Sequence, residues 1–380
     1  MRITQVKLNN FRNHKDTIVE FNDGINVITG QNGQGKTNLA ESLVVASTTK
    51  SPRTSKENDL ILCGEDRTSV ELNVERNFGN VKIQYVIDKS EGKIFYINNN
   101  EVKKMSDVFG HLVTIYFAPS EIKIVSESPN ERREFMDTDI SQLSGNYYTL
   151  LQRYNKVLAQ RNKLLKFEKN REVLLSQIGI WNEQLASLAA PIIKTRKSFI
   201  EKIKEPATRA LKNLSKQSEN LRIEYVGAKC VTIDELKGEI LKALEFNIER
   251  DIELGYTSIG PHRDDIKFML NEMDSRSFAS QGQQRSIVLA LKVAEAEIFT
   301  KELGEPPVLV LDDVFSELDT RRQKLLYETI APYQSIITGT ALKFQKDVAY
   351  TSFRVQKGTV KKINKNKKLA QFDMHPFKGI

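Results

Sequence analysis

Two cysteines, Cys63 and Cys230, are too few for a disulfide framework, and neither stands in a CxxC spacing that would hold zinc. Histidine is almost as scarce: His14, His111, His262 and His375 lie far apart, so the sequence offers no metal cluster. No stretch approaches the roughly 18 apolar residues that span a bilayer. The N-terminus, MRITQVKLNNF, alternates charged or polar with apolar residues and lacks the apolar run of a signal peptide. These absences exclude a disulfide-built secreted scaffold, a zinc module and a membrane-embedded protein, and make the cytoplasm the expected location. With 10 Pro and 19 Gly in 380 residues, fibrous and low-complexity classes are excluded too.

What remains is a globular composition, 39% hydrophobic and 28% charged, long enough for two to three domains. The first 118 residues read as β-rich. Ile3–Leu8, Thr17–Phe21 and Gly24–Thr29 are strand candidates, and Val70, Leu72 and Val74 recur at two-residue spacing. Val81–Ile87 and Lys93–Ile97 extend an antiparallel meander, with Asn98-Asn99-Asn100 supplying turn chemistry. From Pro119 the period changes. Tyr147, Leu150, Leu151, Tyr154, Val157 and Leu158 recur at three- and four-residue steps, and Trp181, Leu185, Leu188 and Ile192 continue the helical pattern to about residue 216. Strands are expected to resume after Cys230, notably Ile266–Leu270, followed by a helix over Gln283–Phe299 and the apolar run Val308–Leu311. Residues 361–380 lack periodicity and read as a mobile basic tail.

Gly30-Gln31-Asn32-Gly33-Gln34-Gly35-Lys36-Thr37 fits GxxxxGK[ST] between an expected strand and an expected helix. Glycines let successive backbone N–H groups converge on one anion, and the helix start adds partial positive charge. Lys36 would reach the terminal phosphates of ATP and the Thr37 hydroxyl would bind Mg²⁺. Such a loop needs a carboxylate at the end of a neighbouring strand. Val308-Leu309-Val310-Leu311-Asp312-Asp313 supplies two, Asp312 for Mg²⁺ and Asp313 to position or deprotonate the attacking water. Ser280-Gln281-Gly282-Gln283-Gln284-Arg285 precedes a helical run and reads either as an ordinary helix cap or as a second anion site; the combination with the P-loop favours the latter.

P-loop, Ser-Gln-Gly-Gln-Gln about 245 residues later, the Asp-Asp strand and Ser316-Glu317-Leu318-Asp319 together resemble an ABC-type ATPase head. Within that class the chain resembles the RecF family of bacterial recombination mediators. The matching stretches include Asn10-Phe11-Arg12-Asn13, Lys50–Thr54, Phe117–Ser120, Pro129–Arg133 and Gly260–Asp265, in order over roughly residues 1–360. The resemblance implies an α/β fold: an ABC-type head (mixed sheet plus antiparallel meander) over 1–118 and 231–360, with an inserted α-helical lobe at 119–230 and the 361–380 tail outside. It implies an ATP-dependent homodimer in which Ser280, Gly282 and Gln283 of one copy close over the nucleotide of the other. It further implies slow ATP hydrolysis as a reset, DNA binding at gaps or junctions, partner recombination mediators, recombinase loading and SOS induction. The chain departs from the usual ABC pattern. Asp313 stands where a Glu is usual. The usual switch His after the next strand is missing, with Thr338-Gly339-Thr340 offering hydroxyls instead, and no glutamine stands out as the Mg²⁺-sensing residue.

Arg12 is a candidate for the nucleotide phosphates, against a solvated surface arginine, and Arg53 and Thr54 for adenine or ribose. In His262-Arg263-Asp264-Asp265 a structural Arg–Asp pair is expected, and Arg132 and Arg133 are flanked by Glu131 and Glu134 as local partners. The net charge of +8 and pI near 9.1 point to an anionic partner. Residues 119–230 carry 20 basic against 13 acidic residues and 361–380 carry six Lys against one Asp, which leaves the remaining segments at −4. DNA contacts are therefore expected on the helical insert, at Lys156, Arg161 and Lys163. The other reading is a nucleotide-sensing scaffold that mainly binds partner proteins, with incidental DNA binding.

Overall fold

The computed structural model describes residues 1–340 and 349–365. Strands β1 (Arg2–Phe11) and β2 (His14–Glu20) open the chain, and β3 (Ile25–Thr29) leads through the Gly-rich loop into helix α1 (Lys36–Thr48). The meander follows as β4 (Arg67–Arg76), β5 (Gly79–Asp88), β6 (Gly92–Ile97) and the short β7 (Asn100–Glu101). It forms an antiparallel sheet of order β2-β1-β4-β5-β6-β7. Alternation fixes its register: Val70, Leu72 and Val74 of β4 are buried on one face, where Leu8 lies opposite Val70 and Val6 opposite Leu72.

Strand β8 (Thr114–Phe117) is followed by α2 (Lys123–Ser126), α3 (Pro129–Leu143), α4 (Gly145–Phe167) and α5 (Arg171–Ser215). At 45 residues α5 is about 67 Å long, and it contains Pro191 and Pro206, each of which removes one backbone donor. Then come β9 (Leu221–Val226), α6 (Ile233–Phe246), α7 (Ile248–Leu254), β10 (Asp265–Leu270), β11 (Met273–Asp274) and α8 (Ser275–Phe278). The chain continues as α9 (Gln281–Leu303), β12 (Val308–Asp312), α10 (Thr320–Ile330), β13 (Ser335–Gly339), β14 (Tyr350–Gln356) and β15 (Thr359–Lys365).

The second large sheet has the order β15-β14-β3-β13-β12-β8, parallel except for the β14–β15 hairpin. Every residue of β12 and β13 is buried, as continuous apolar runs require of strands covered on both faces. Helix α1 packs on β8, β12 and β13, while α5 packs on α4, α6 and α9. No helix among the described residues is long and apolar enough to cross a membrane.

Three expectations about segment boundaries need correction. Residues 233–254 are helical, not extended: Thr232 and Glu235 form a capping box at the start of α6, which packs on α5. Strand β9 falls inside the 119–230 segment read as the α-helical lobe, beyond the helical pattern that ends near residue 216, and pairs with β10. Lys361–Lys365 belongs to β15 and pairs with β14, so the expected tail does not begin at 361. Its remainder, 366–380, lies outside the described residues.

Buried polar pairs hold the helices together. Arg196 makes a two-pronged contact with Asp137 (Nη2 to Oδ2 2.8 Å, Nε to Oδ1 3.0 Å) and donates to the Pro261 carbonyl at 2.6 Å. Arg132 and Arg133 do not pair with Glu131 or Glu134. Arg132 grips both oxygens of Asp265 at 2.6 and 3.0 Å, and Arg133 donates to the Asp264 carbonyl at 2.6 Å, which ties α3 to the start of β10. Arg263, expected to pair with a neighbouring Asp, instead lies 4.8 Å over the Tyr256 ring and donates to the Thr257 carbonyl.

Arg161 is the clearest reversal. It is wholly buried, with Nη1 2.7 Å from Asp251 Oδ2 and 2.8 Å from Thr257 Oγ1, and Nε 2.8 Å from Asn182 Oδ1. A guanidinium committed in this way is not available to DNA.

Candidate nucleotide site

β3 delivers the chain to the Gly-rich loop, where Gly33 (φ +77°) and Gly35 (φ +115°) adopt left-handed conformations that a side chain would strain. Lys36 curls back across the loop, its Nζ 2.8 Å from the Gly30 carbonyl and 3.0 Å from the Gln31 carbonyl. No side chain caps α1 and no acid stands in its first turn, so its N–H groups remain free for an anion.

Two other segments clamp this loop from behind. In the β14–β15 turn, Lys357 N–H donates to Gln34 Oε1 at 2.8 Å and Gly358 N–H to the Gln34 carbonyl at 3.0 Å. Gln34 therefore turns its side chain away from the loop interior. From the start of β2, the buried His14 ring lies between the Gly35 and Gly358 carbonyls.

Asp312 ends β12 beside Thr37. The Thr37 hydroxyl donates to Asp312 Oδ1 at 3.0 Å, Thr338 Oγ1 donates to the same oxygen at 2.5 Å, and the Tyr116 hydroxyl lies 3.4 Å from Oδ2. Burial, reinforced by the Asp312 charge, pushes the Tyr116 phenol well above its ordinary pKa, so it stays a donor. Thr338 also accepts from the Asp313 N–H at 3.1 Å, and one residue thereby anchors both acids. Asp313 has φ +55°, a left-handed conformation that costs a non-glycine residue about 1–3 kcal/mol and clusters at functional sites. Its carboxylate has no hydrogen-bond partner among the described residues.

Arg12 is not a solvated surface arginine. It grips the buried Glu41 of α1 at 2.7 and 2.9 Å, and Arg53 reaches the same carboxylate at 3.0 Å. Glu41 lies one turn beyond Thr37, so both arginines are anchored on the helix that starts at the loop. Thr54, by contrast, donates to Asp59.

Ser280 caps α9. Its Oγ accepts from Gln283 N–H at 3.3 Å while Gln283 Oε1 accepts from Ser280 N–H at 2.9 Å. The hydroxyl can still donate outward, and no acid stands in the first turn of α9. Sequence reasoning missed what fixes this helix start. Arg322 donates to the Gly282 carbonyl at 3.0 Å and to Ser286 Oγ at 2.9 Å while pairing with Asp319; Arg285 pairs with Glu317. The loop that follows Asp312-Asp313 is thereby tied to Ser280–Gln283.

On the outer face of α4, Arg153, Lys156, Lys163 and Lys166 are exposed and form no ion pair among the described residues. They recur with helical spacing along one side.

The model of the RecF/RecN/SMC N terminal domain matches residues 2–361. DNA replication and repair protein RecF of Alkaliphilus oremlandii is 38% identical over 367 residues, 95% of this chain and all of the relative. The RecF protein of Clostridium novyi is 39% identical over 364 residues, 95% of this chain and 99% of the relative. A solved structure of the recombination mediator protein RecF-ATP in the RecFOR pathway superposes with a TM-score of 0.88 at 35% identity, covering 95% of this chain and 97% of the other. An Smc head domain from Pyrococcus furiosus shares the fold, with a TM-score of 0.52 at 17% identity, covering 95% of each chain.

Proposed function

The chain belongs to the RecF family, and from that footing we propose that it is an ATP-dependent DNA-binding protein of recombinational repair and replication, in which ATP closes a homodimer onto DNA. The observation that carries the nucleotide part is the 3.0 Å contact between the Thr37 hydroxyl and Asp312, residues 275 positions apart in sequence. It joins the P-loop to the acidic strand in one site.

ATP phosphates sit on the backbone N–H groups of Gly33–Thr37, with the Lys36 ammonium released from the Gly30 and Gln31 carbonyls onto the terminal phosphates. Thr37 Oγ1 and Asp312 are hard oxygen donors that fit Mg²⁺, which when bound neutralises phosphate charge. Asp313 orients the attacking water. Its carboxylate is one methylene shorter than glutamate, which suits slow hydrolysis used as a reset. Ser280, Gly282 and Gln283 offer a hydroxyl and helix-start N–H groups to the nucleotide of a second copy. DNA lies along the α4 face, with Arg153 and Lys166 joining Lys156 and Lys163 in place of the buried Arg161. Partner recombination mediators and recombinase loading at gaps follow the family relationship.

Arg153→Gln, Lys156→Gln and Lys163→Gln combined are expected to weaken DNA binding and to flatten its salt dependence by about one unit of slope per lost phosphate contact, with ATP affinity unchanged. A salt titration by fluorescence anisotropy, with and without ATP, measures this. The scaffold reading instead predicts DNA affinity that is indifferent to ATP and to these substitutions.

A further inference from the structure

His14 is fully buried, and both of its ring nitrogens face carbonyl oxygens. Nδ1 lies 2.6 Å from the Gly358 carbonyl and Nε2 lies 3.0 Å from the Gly35 carbonyl of the P-loop. Thr17 Oγ1 is 3.3 Å from Nδ1, but it donates its own proton to the Gly358 carbonyl at 2.7 Å. A neutral imidazole carries one N–H. Whichever tautomer forms, one nitrogen lone pair therefore confronts a carbonyl lone pair at hydrogen-bond distance. Only the imidazolium satisfies both contacts.

Burial opposes that charge and lowers the pKa of the ring below its ordinary value. No carboxylate compensates: among the described residues none is bonded to the ring. The charged side chains adjoining its contacts in the chain are Lys36, held by the Gly30 and Gln31 carbonyls, and Lys15, Asp16 and Lys357, which are exposed. The ring is thus poised between a geometry that wants two protons and an environment that resists the second. A polyanion on the other side of Gly35 tips that balance.

We propose that His14 is a positioning residue of the P-loop that takes up a proton when a nucleoside triphosphate binds, stiffening the loop by donating to Gly35 and Gly358 at once. The inference rests on nucleotide occupying the P-loop, as above. Neutral in the free chain and protonated in the complex, His14 makes the ATP association constant fall as pH rises between its free and bound pKa values. The fall reaches up to about tenfold per pH unit. Below the free value the dependence vanishes.

Titration calorimetry with ATP and saturating Mg²⁺ at pH 7, in phosphate and in Tris, reads the proton count from the difference in buffer ionisation heat. The wild-type chain should take up as much as one proton and His14→Gln none beyond the background. Nitrogen-15 shifts of the wild-type imidazole need no variant. They should report a neutral ring without ATP and two protonated nitrogens with it. Equal proton uptake in both chains, or a ring neutral in both states while ATP binds, overturns the inference and leaves the nucleotide reading intact. No ATP heat with the wild-type chain overturns both.

Discussion

Replacing Asp251 with Asn is expected to lower the free energy of unfolding by about 3–5 kcal/mol, the cost of leaving one charge of a buried pair unpaired. Both side chains of the Arg161–Asp251 pair are fully buried. Asp251 Oδ2 accepts from Arg161 at 2.7 Å, while Oδ1 accepts from the Ser258 N–H at 2.9 Å and hydroxyl at 2.6 Å. An amide at this position removes the counter-charge and also sets its NH₂ against a donor. Arg161 already has one buried nitrogen, Nη2, without a partner, so the site has no spare acceptor to offer. Urea unfolding monitored by circular dichroism measures the loss. The double substitution Arg161→Met with Asp251→Leu should recover most of it, because it removes both charges together. A fold indifferent to Asp251→Asn would mean that the guanidinium is solvated, and the original expectation of a DNA contact would revive.

Gly358→Val is expected to lower ATP affinity by at least about tenfold, equivalent to 1.4 kcal/mol or more, while costing about 2–4 kcal/mol of stability. Gly358 has φ +73°, and a Cβ there would lie 2.1 Å from the Asn13 carbonyl oxygen. That oxygen is backbone and cannot swing aside, so the β14–β15 turn must move. Moving it withdraws the Gly358 N–H from the Gln34 carbonyl and the Gly358 carbonyl from His14, and the loop loses its rear support. Gly92→Ala is the control. Gly92 also has positive φ (+82°) but nothing lies near its missing side chain, so it should cost stability without touching ATP binding. Equal effects of the two substitutions on ATP affinity would rule out the clamp.

Parts of the site were legible because their chemistry is local in sequence. A Gly-rich turn needs its glycines within a few residues, and an acid ending a buried apolar strand announces itself by Val308–Asp312. The clamp was not legible, since Gly358 is constrained by Asn13 and His14 some 345 residues earlier. A partial signal existed: Lys357 and Gly358, both with positive φ, sit between Val355 and Val360 as a two-residue hairpin turn does. Arg161 also carried a signal. Tyr147, Tyr154 and Arg161 recur every seven residues, which places the arginine on the buried stripe of α4 despite its charge. Composition argued for DNA, but periodicity argued for the core, and burial followed periodicity. Thr232 and Glu235, three residues apart ahead of Leu236, Ile240 and Leu244, likewise spelled a capped amphipathic helix where strands were expected.

In the proposed function, ATP held between Lys36, Thr37 and Asp312 recruits the Ser280 helix start of a second copy. Size-exclusion chromatography with light scattering tests it most directly, on the wild-type chain and Ser280→Arg, with and without Mg²⁺ and ATP. The expected result is a monomer of 43.4 kDa without nucleotide, a dimer with ATP, and a Ser280→Arg chain that binds ATP yet stays monomeric. A Ser280→Arg chain that dimerises normally with ATP would contradict it.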